Sequence, residues 1–202
     1  RSSDLDGIRL ANPISADMAE MRTSLWTGLV KALAYNANRQ QSRIRLFESG
    51  LVFNKQGENI VQTPRIAGVV SGNRAKESWT SVATSVDFFD VKGDVESLLG
   101  LAGDAEDISF RSAQHNALHP GQSAAILKGE KQIGWLGALH PQLEKSLSVT
   151  GPIYLFELDV EALCEGRLSS FTELSKFPEV RRDLAILVDE GLAFSEIESV
   201  VR

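Results

Sequence analysis

The sequence predicts an α+β fold built on an antiparallel sheet, on three observations. Strand-like runs come in adjacent pairs joined by short polar turns that contain glycine. One pair is Arg43–Phe53 and Arg65–Val70 about the turn Asn54–Asn59, and another is Ala124–Leu127 and Ile133–Gly137 about Lys128-Gly129-Glu130-Lys131. Helical patterns stand beside these pairs instead of alternating with single strands, which argues against a parallel βαβ sheet. The 202 residues are 43% hydrophobic and 24% charged, which suffices for the core of one large domain or one and a half.

Taken in order, Ile8-Arg9-Leu10 reads as a short strand that leaves at Asn12-Pro13, because proline disfavours helix in the residue before it. A helix is expected from Ser24 to about Asn38. Its apolar stripe, Leu25, Leu29 and Leu33, gives it one core-facing side, and Thr23 or Ser24 can cap its first turn. The Ile44 to Phe53 run and its returning arm follow, in a sheet of about six strands with that helix on one face. Gly68 marks a close backbone approach within the returning arm. Ser71 to Val86 is polar and reads as a loop anchored by Trp79. A second helix runs through Val91, Val95, Leu98 and Leu99, with Gly100 or Gly103 to end it. Ile108-Ser109-Phe110 and Ile153 to Leu158 are further strands, and Asp159 can cap a short helix from Val160 to Cys164. Gly166 to Lys176 reads as a linker. Arg182 to Val188 then reads as a buried strand, and Ser195 to Val201 as the start of a helix.

Composition excludes several classes. A net charge of −6 rules out a generally basic nucleic-acid binder, so any RNA contact must come from a local patch. The single cysteine, Cys164, allows no internal disulfide, fits a reducing compartment, and reads as a small core residue with no histidine base beside it. No apolar run approaches the ~20 residues of a membrane span. The start, Arg1-Ser2-Ser3-Asp4, has no signal-peptide core and no initiator Met, so the chain reads as a cytoplasmic piece of something longer.

Residues that could carry chemistry are few. His115 and His119 have the spacing of two zinc ligands on a helix, but Pro120-Gly121 follows and no third ligand is near. His119 and His140, each before a proline, are expected to fix turns by bonding to backbone. The acid pairs Asp87/Asp90 and Asp104/Asp107 lack the alternation and glycine of a calcium loop. No metal ligand and no cofactor-binding or catalytic residue is assigned to the chain.

Several ordered motifs resemble one family. They are Asn12-Pro13-Ile14-Ser15, Met21-Arg22-Thr23-Ser24-Leu25, Asn36-x-Asn38-Arg39, Phe47-Glu48-x-Gly50-x-Val52-Phe53, Leu118-His119-Pro120-Gly121-Gln122-Ser123-Ala124, and Gly134-x-x-Gly137-x-x-His140-Pro141. They resemble the catalytic-like module of the bacterial phenylalanyl-tRNA synthetase β subunit. Lys176-Phe177-Pro178 to Arg182-Asp183-Leu184-Ala185 looks like the start of that family's anticodon-binding domain.

The resemblance implies a class II synthetase-like antiparallel sheet over residues 1–168. Residues 169–202 would be the linker and the first strand and helix of an incomplete ferredoxin-like domain. It implies membership of an α2β2 ligase, a heterotetramer that joins phenylalanine to its tRNA with ATP and magnesium. A catalytic α subunit and tRNA would be the partners. Class II enzymes hold ATP with an Arg and an acid after the second-motif strand; here Asn54 and Gln56 stand in those places. The late Gly-x-Gly with a following Arg is also missing, since only Leu139-His140-Pro141 follows Gly137. The expected role is therefore a non-catalytic scaffold that supports subunit assembly and tRNA placement. The alternatives are an unusual nucleotide-binding ligase domain and an unrelated protein-interaction module. Arg39, Arg43 and Arg45, with Lys31 nearby, form the most basic local cluster, and Arg181 and Arg182 form a second; both are candidates for tRNA or subunit contact. An apolar surface over residues 8–30 is expected to be an oligomer interface, by analogy with class II folds.

Overall fold

The computed structural model describes residues 7–80, 82–101, 107–147, 149, 151–164, 180–192 and 194–201. The chain divides into two units, Arg1–Ser169 and Ser170–Arg202.

In the first unit, residues 8–21 double back on themselves through a bridge between Arg9 and Glu20, with a 3-10 turn at Ala16–Met18. The strand expected at Ile8-Arg9-Leu10 is thus a single bridge. Helix α1 spans Trp26–Ala37 and buries Trp26, Leu29 and Leu33. It starts two residues after the expected Ser24 because Ser24 stays outside as a capping residue, its Oγ accepting from the Trp26 N–H at 3.1 Å. The chain leaves α1 through Gln40, whose φ of 62° is left-handed, and enters β1.

Strands β1 (Arg43–Gln56) and β2 (Asn59–Gly72) form a long hairpin in register from Arg43↔Gly72 to Gln56↔Asn59. The ladder runs further than the expected polar turn, so only Gly57 and Glu58 make the bend, with Gly57 at φ 62°. Helix α2 (Phe88–Leu101) starts at a reciprocal capping box. Asp87 Oδ1 accepts from Asp90 N and Asp90 Oδ2 accepts from Asp87 N. Gly100 lies inside α2, not beyond it, and Gly103 lies outside the described residues.

Strands β3 (Ile108–Ser112), β4 (Leu118–Lys128) and β5 (Lys131–Leu139) form a meander. Helix α3 (Pro141–Ser146), strand β6 (Ile153–Asp159) and helix α4 (Val160–Cys164) complete the unit. Asp159 Oδ1 accepts from the N–H groups of Glu161 and Ala162, as its position before α4 predicts. The six strands order as β1-β2-β6-β5-β4-β3, all antiparallel, so β6 joins the hairpin to the meander at the centre of the sheet.

Each face of this sheet carries its own core. On one face α1 packs Leu25, Leu29 and Leu33 against Ile44, Val52, Val69 and Leu155. On the other, Val91, Val95 and Leu99 of α2 and Ala162 of α4 pack against Val70, Ile126, Leu136 and Leu158. Gly68 is the close approach its sequence position suggested. A Cβ there would lie 2.3 Å from Cε1 of Phe156, so only glycine lets that ring lie across the strand. Cys164 is exposed, a correction to its reading as a core residue, because Ala162 is the residue α4 turns inward.

In the second unit, Arg182–Val188 forms no strand, and the described residues from Val180 to Leu192 are exposed. That corrects the expected buried strand. A strand needs a ladder partner to satisfy its backbone, and no strand pairs with this segment among the described residues. The expected helix is present as α5 (Phe194–Val201). The expected linker, Gly166 to Lys176, lies outside the described residues.

Candidate functional site

The tip of the β1–β2 hairpin carries Asn54, Lys55 and Gln56. Side chains alternate along a strand. Val52 is buried on the α1 side, so Asn54 and Gln56 point to that same side. Asn54 pairs with Val61 and Gln56 with Asn59 inside the ladder. Between them they offer amides and no charge, while Lys55 points to the opposite face.

The structure divides the basic cluster. Arg39 stacks on the Tyr35 ring, its Cζ 3.4 Å from the centroid, and donates to Tyr35 O at 3.1 Å. Arg43 donates through Nε to Arg74 O at 3.5 Å. Arg45 points to the α2 side and forms an ion pair with Asp94. Lys31 lies on the α1 side, in the wall of a cavity described below. Lys31 and Arg45 are therefore on opposite sides of the sheet and do not form one patch. Arg181 and Arg182 are exposed in the second unit.

The histidines act as local fasteners. Nδ1 of His119 accepts from Gly121 N at 3.0 Å, and Nδ1 of His140 accepts from Gln142 N at 3.2 Å to cap α3. His115 sits in a turn and His119 in a strand, so their spacing of four does not put them on one helical face. Among the described residues no group of three or more His, Cys, Asp or Glu is placed to hold a metal ion. The Asp87/Asp90 pair is the α2 capping box, and Asp90 also pairs with Arg74 at 2.7 Å.

One arrangement was not anticipated from the sequence. A cavity of about 620 Å³ opens on the α1 face between α1, α3 and the sheet. Its floor carries Glu157 on the central strand β6, flanked by Ala67 on β2 and Trp135 on β5. Glu157 Oε1 accepts from Leu25 N at 2.8 Å and from Ser24 Oγ at 3.0 Å, so a distant carboxylate holds the start of α1. Burial raises the pKa of this carboxyl above its ordinary value, against the opposing pull of those hydrogen bonds and of Arg65 and Arg22. Arg65, also in the lining, has a single distant ion pair with Asp159 at 3.9 Å, and its Nε is buried without a partner.

The cavity wall is aromatic. His115 lies against Trp26 (centroids 5.2 Å, 80° between planes) and Trp135 (5.0 Å, 58°). Its Nδ1 accepts from Ala117 N, and burial lowers its pKa, which favours the neutral ring. Trp26 Nε1 donates to Phe156 O at 3.0 Å, fixing the indole over the sheet. The signal in the sequence was a lone acid inside the apolar run Tyr154-Leu155-Phe156-Glu157-Leu158, but nothing local showed what it would meet.

Apolar side chains remain exposed on the N-terminal segment and on the edge strand β1. They are Leu10, Ile14 and Met18 on the N-terminal segment and Phe47 and Leu51 on β1 itself. Arg22 ties that segment to β1. Its Nε donates to Leu51 O at 2.8 Å, its carbonyl accepts from Phe53 N at 2.8 Å, and its guanidinium pairs with Glu48. No described helix is long and apolar enough to cross a membrane.

Comparison with known proteins places this chain. A family model described as "Phenylalanyl tRNA synthetase beta chain CLM domain" matches residues 1–160. The phenylalanine–tRNA ligase beta subunit of Hahella chejuensis is 55% identical over 192 residues, covering 95% of this chain and 24% of that protein. The subunit of the same name from Pseudomonas fluorescens Pf-5 is 54% identical, covering 98% and 25%, and that of Pseudomonas putida is 53% identical, covering 100% and 25%. The chain thus spans about a quarter of the length of these relatives. Among solved structures, a pyrrolysyl tRNA synthetase from Desulfitobacterium hafniense matches with a TM-score of 0.52 at 12% identity. That match covers 75% of this chain and 51% of the other, a likeness of fold alone.

Proposed function

The chain belongs to the phenylalanyl-tRNA synthetase β chain family, and on that premise we propose that it is a non-catalytic scaffold within a phenylalanine–tRNA ligase. The whole enzyme would join phenylalanine to its tRNA with ATP and magnesium, and the chemistry would reside on a catalytic α subunit in an α2β2 assembly. The sheet would be class II-like, and the second unit would be the start of a ferredoxin-like anticodon-binding domain. A cytoplasmic location follows from that role.

The observation that carries this reading is the hairpin tip. A class II site needs an Arg fork and an acid for the nucleotide, and Asn54 and Gln56 supply neither. The exposed apolar residues beside β1 support a subunit interface there. Arg39, Arg43, Arg181 and Arg182 are the proposed tRNA or subunit contacts, whereas Arg45 is engaged by Asp94. Co-purification tests the reading. The chain should hold the catalytic α subunit of its own enzyme through gel filtration, and Ile14→Asp with Phe47→Asp should release it. Separate elution of the unaltered pair would refute the scaffold role.

A further inference from the structure

We propose that the cavity on the α1 face is a binding site for a free α-amino acid with an apolar side chain, held without reaction. The inference stands apart from the scaffold role, and either can fail alone.

Glu157 occupies an unusual place for an acid. It points inward from the central strand, between Ala67 and Trp135, where burial favours an apolar residue. One of its oxygens, Oε1, takes both hydrogen bonds from the start of α1, and Oε2 has no partner among the described residues. Arg65 lies one pleat along on the adjacent strand, in the cavity lining, with only the distant 3.9 Å ion pair to Asp159. Lys31 adds a second positive charge from the α1 wall and has no ion-pair partner among the described residues. Trp26, His115 and Trp135, with Leu139 and Leu143, supply the rest of the lining.

These groups select the ligand by its charges. A simple cation drawn to Glu157 would be repelled by Arg65 and Lys31. A simple anion drawn to Arg65 would be repelled by Glu157. An ammonium and a carboxylate on one carbon answer both signs at once. The aromatic and leucine wall then favours an apolar side chain, because a polar one would lose its hydration without replacement. The volume of about 620 Å³ lies in the ~300–1,000 Å³ range of small-ligand sites. Asn54 and Gln56 offer no charge for a nucleotide, so no activation step accompanies binding.

Calorimetry on the purified chain tests this. L-leucine and L-phenylalanine should bind with Kd of about 1 mM or tighter. N-acetyl-L-leucine, which lacks the ammonium, and L-leucine amide, which lacks the carboxylate, should each bind about ten-fold more weakly or worse. Glu157→Gln keeps the acceptor for Leu25 and Ser24, so it should fold as judged by circular dichroism, and it should weaken binding by a similar factor. Arg65→Met should do the same. No heat from either free amino acid at about 10 mM would overturn the proposal. So would equal binding of the blocked forms, a comparison that needs no substitution.

Discussion

Leu155 and Leu158 stand three residues apart on β6 and point to opposite faces of the same sheet, both fully buried. Leu158 enters a core closed by α2 and α4, with Ile126, Leu136 and Val95 around it. Leu155 enters a core that α1 covers only in part. Two residues further along its face come Glu157 and then the open cavity, whose wall Leu155 itself forms. The difference teaches that an antiparallel sheet can assign its faces separately. Around Leu158 the sheet packs only apolar neighbours, whereas around Leu155 it keeps Glu157 and Arg65 inward beside an open cavity.

The largest expected effect tests that division. Leu158→Ala should cost about 3–5 kcal/mol, because the void it leaves is enclosed by packed apolar groups. Leu155→Ala should cost about 2–3 kcal/mol, because the space it opens adjoins a cavity open to the surface. Urea denaturation of both variants checks the order. Equal costs, or a larger cost at Leu155, would mean the two faces are packed alike.

The helix caps give a smaller contrast between the same faces. Helix α2 is capped by its own neighbours, Asp87 and Asp90. The start of α1 relies on Ser24 together with Glu157, more than a hundred residues away. Asp87→Ala should therefore cost about 1 kcal/mol, the usual worth of a cap. Ser24→Ala should cost less, about 0.5 kcal/mol, since Glu157 still accepts from Leu25 N. A larger loss at Ser24, measured by the same denaturation, would show that the long-range cap contributes little.

This contrast also explains what the sequence made legible. The helical stripe, both hairpins, the α4 cap at Asp159 and the close approach at Gly68 are written in local spacing, and each is present, with the bounds of α1 and of the first turn shifted. The family resemblance was legible because its motifs keep their order. The cavity was not legible. Its floor is assembled from β2, β5 and β6, its walls from α1, α3 and the turn at His115, and only the strand order brings these together. The misreadings have the same origin. Arg182–Val188 has the composition of a strand but no ladder partner among the described residues, and Cys164 was given the inward place that Ala162 takes. Lys31 and Arg45 are close in sequence, yet the sheet stands between them.

A still smaller effect should appear as a trend with pH. Burial raises the pKa of Glu157 in the folded chain. The stability linked to that shift is fully present below the ordinary carboxylate pKa. It is lost as pH rises through the raised folded value. Glu157→Gln has no such titration and keeps the acceptor. The melting temperature of the variant relative to the unaltered chain should therefore climb as pH rises from the ordinary carboxylate range towards neutrality. Other titrating groups are common to both proteins and cancel in the difference. A flat or falling difference would mean that the hydrogen bonds from Leu25 and Ser24 outweigh burial.

The last expected effect is none at all, and it bears on the α1 face where that face ends. Asn54 and Gln56 point to the same side as the cavity but lie at the hairpin tip, inside a ladder that runs to Gln56↔Asn59. A triphosphate carries several negative charges, and a site for it needs fixed donors with positive charge close by. At this tip the two side chains on the α1 side are neutral amides, and Lys55 alternates to the other face. ATP with magnesium should therefore give no heat in calorimetry, and Asn54→Ala should change neither that result nor the melting temperature. An amino acid bound in the cavity should not alter this, because both of its charges are answered by Glu157, Arg65 and Lys31. Micromolar binding of ATP that Asn54→Ala abolishes would break the comparison at its root. It would turn the polar face from a binding surface into the remnant of a working nucleotide site.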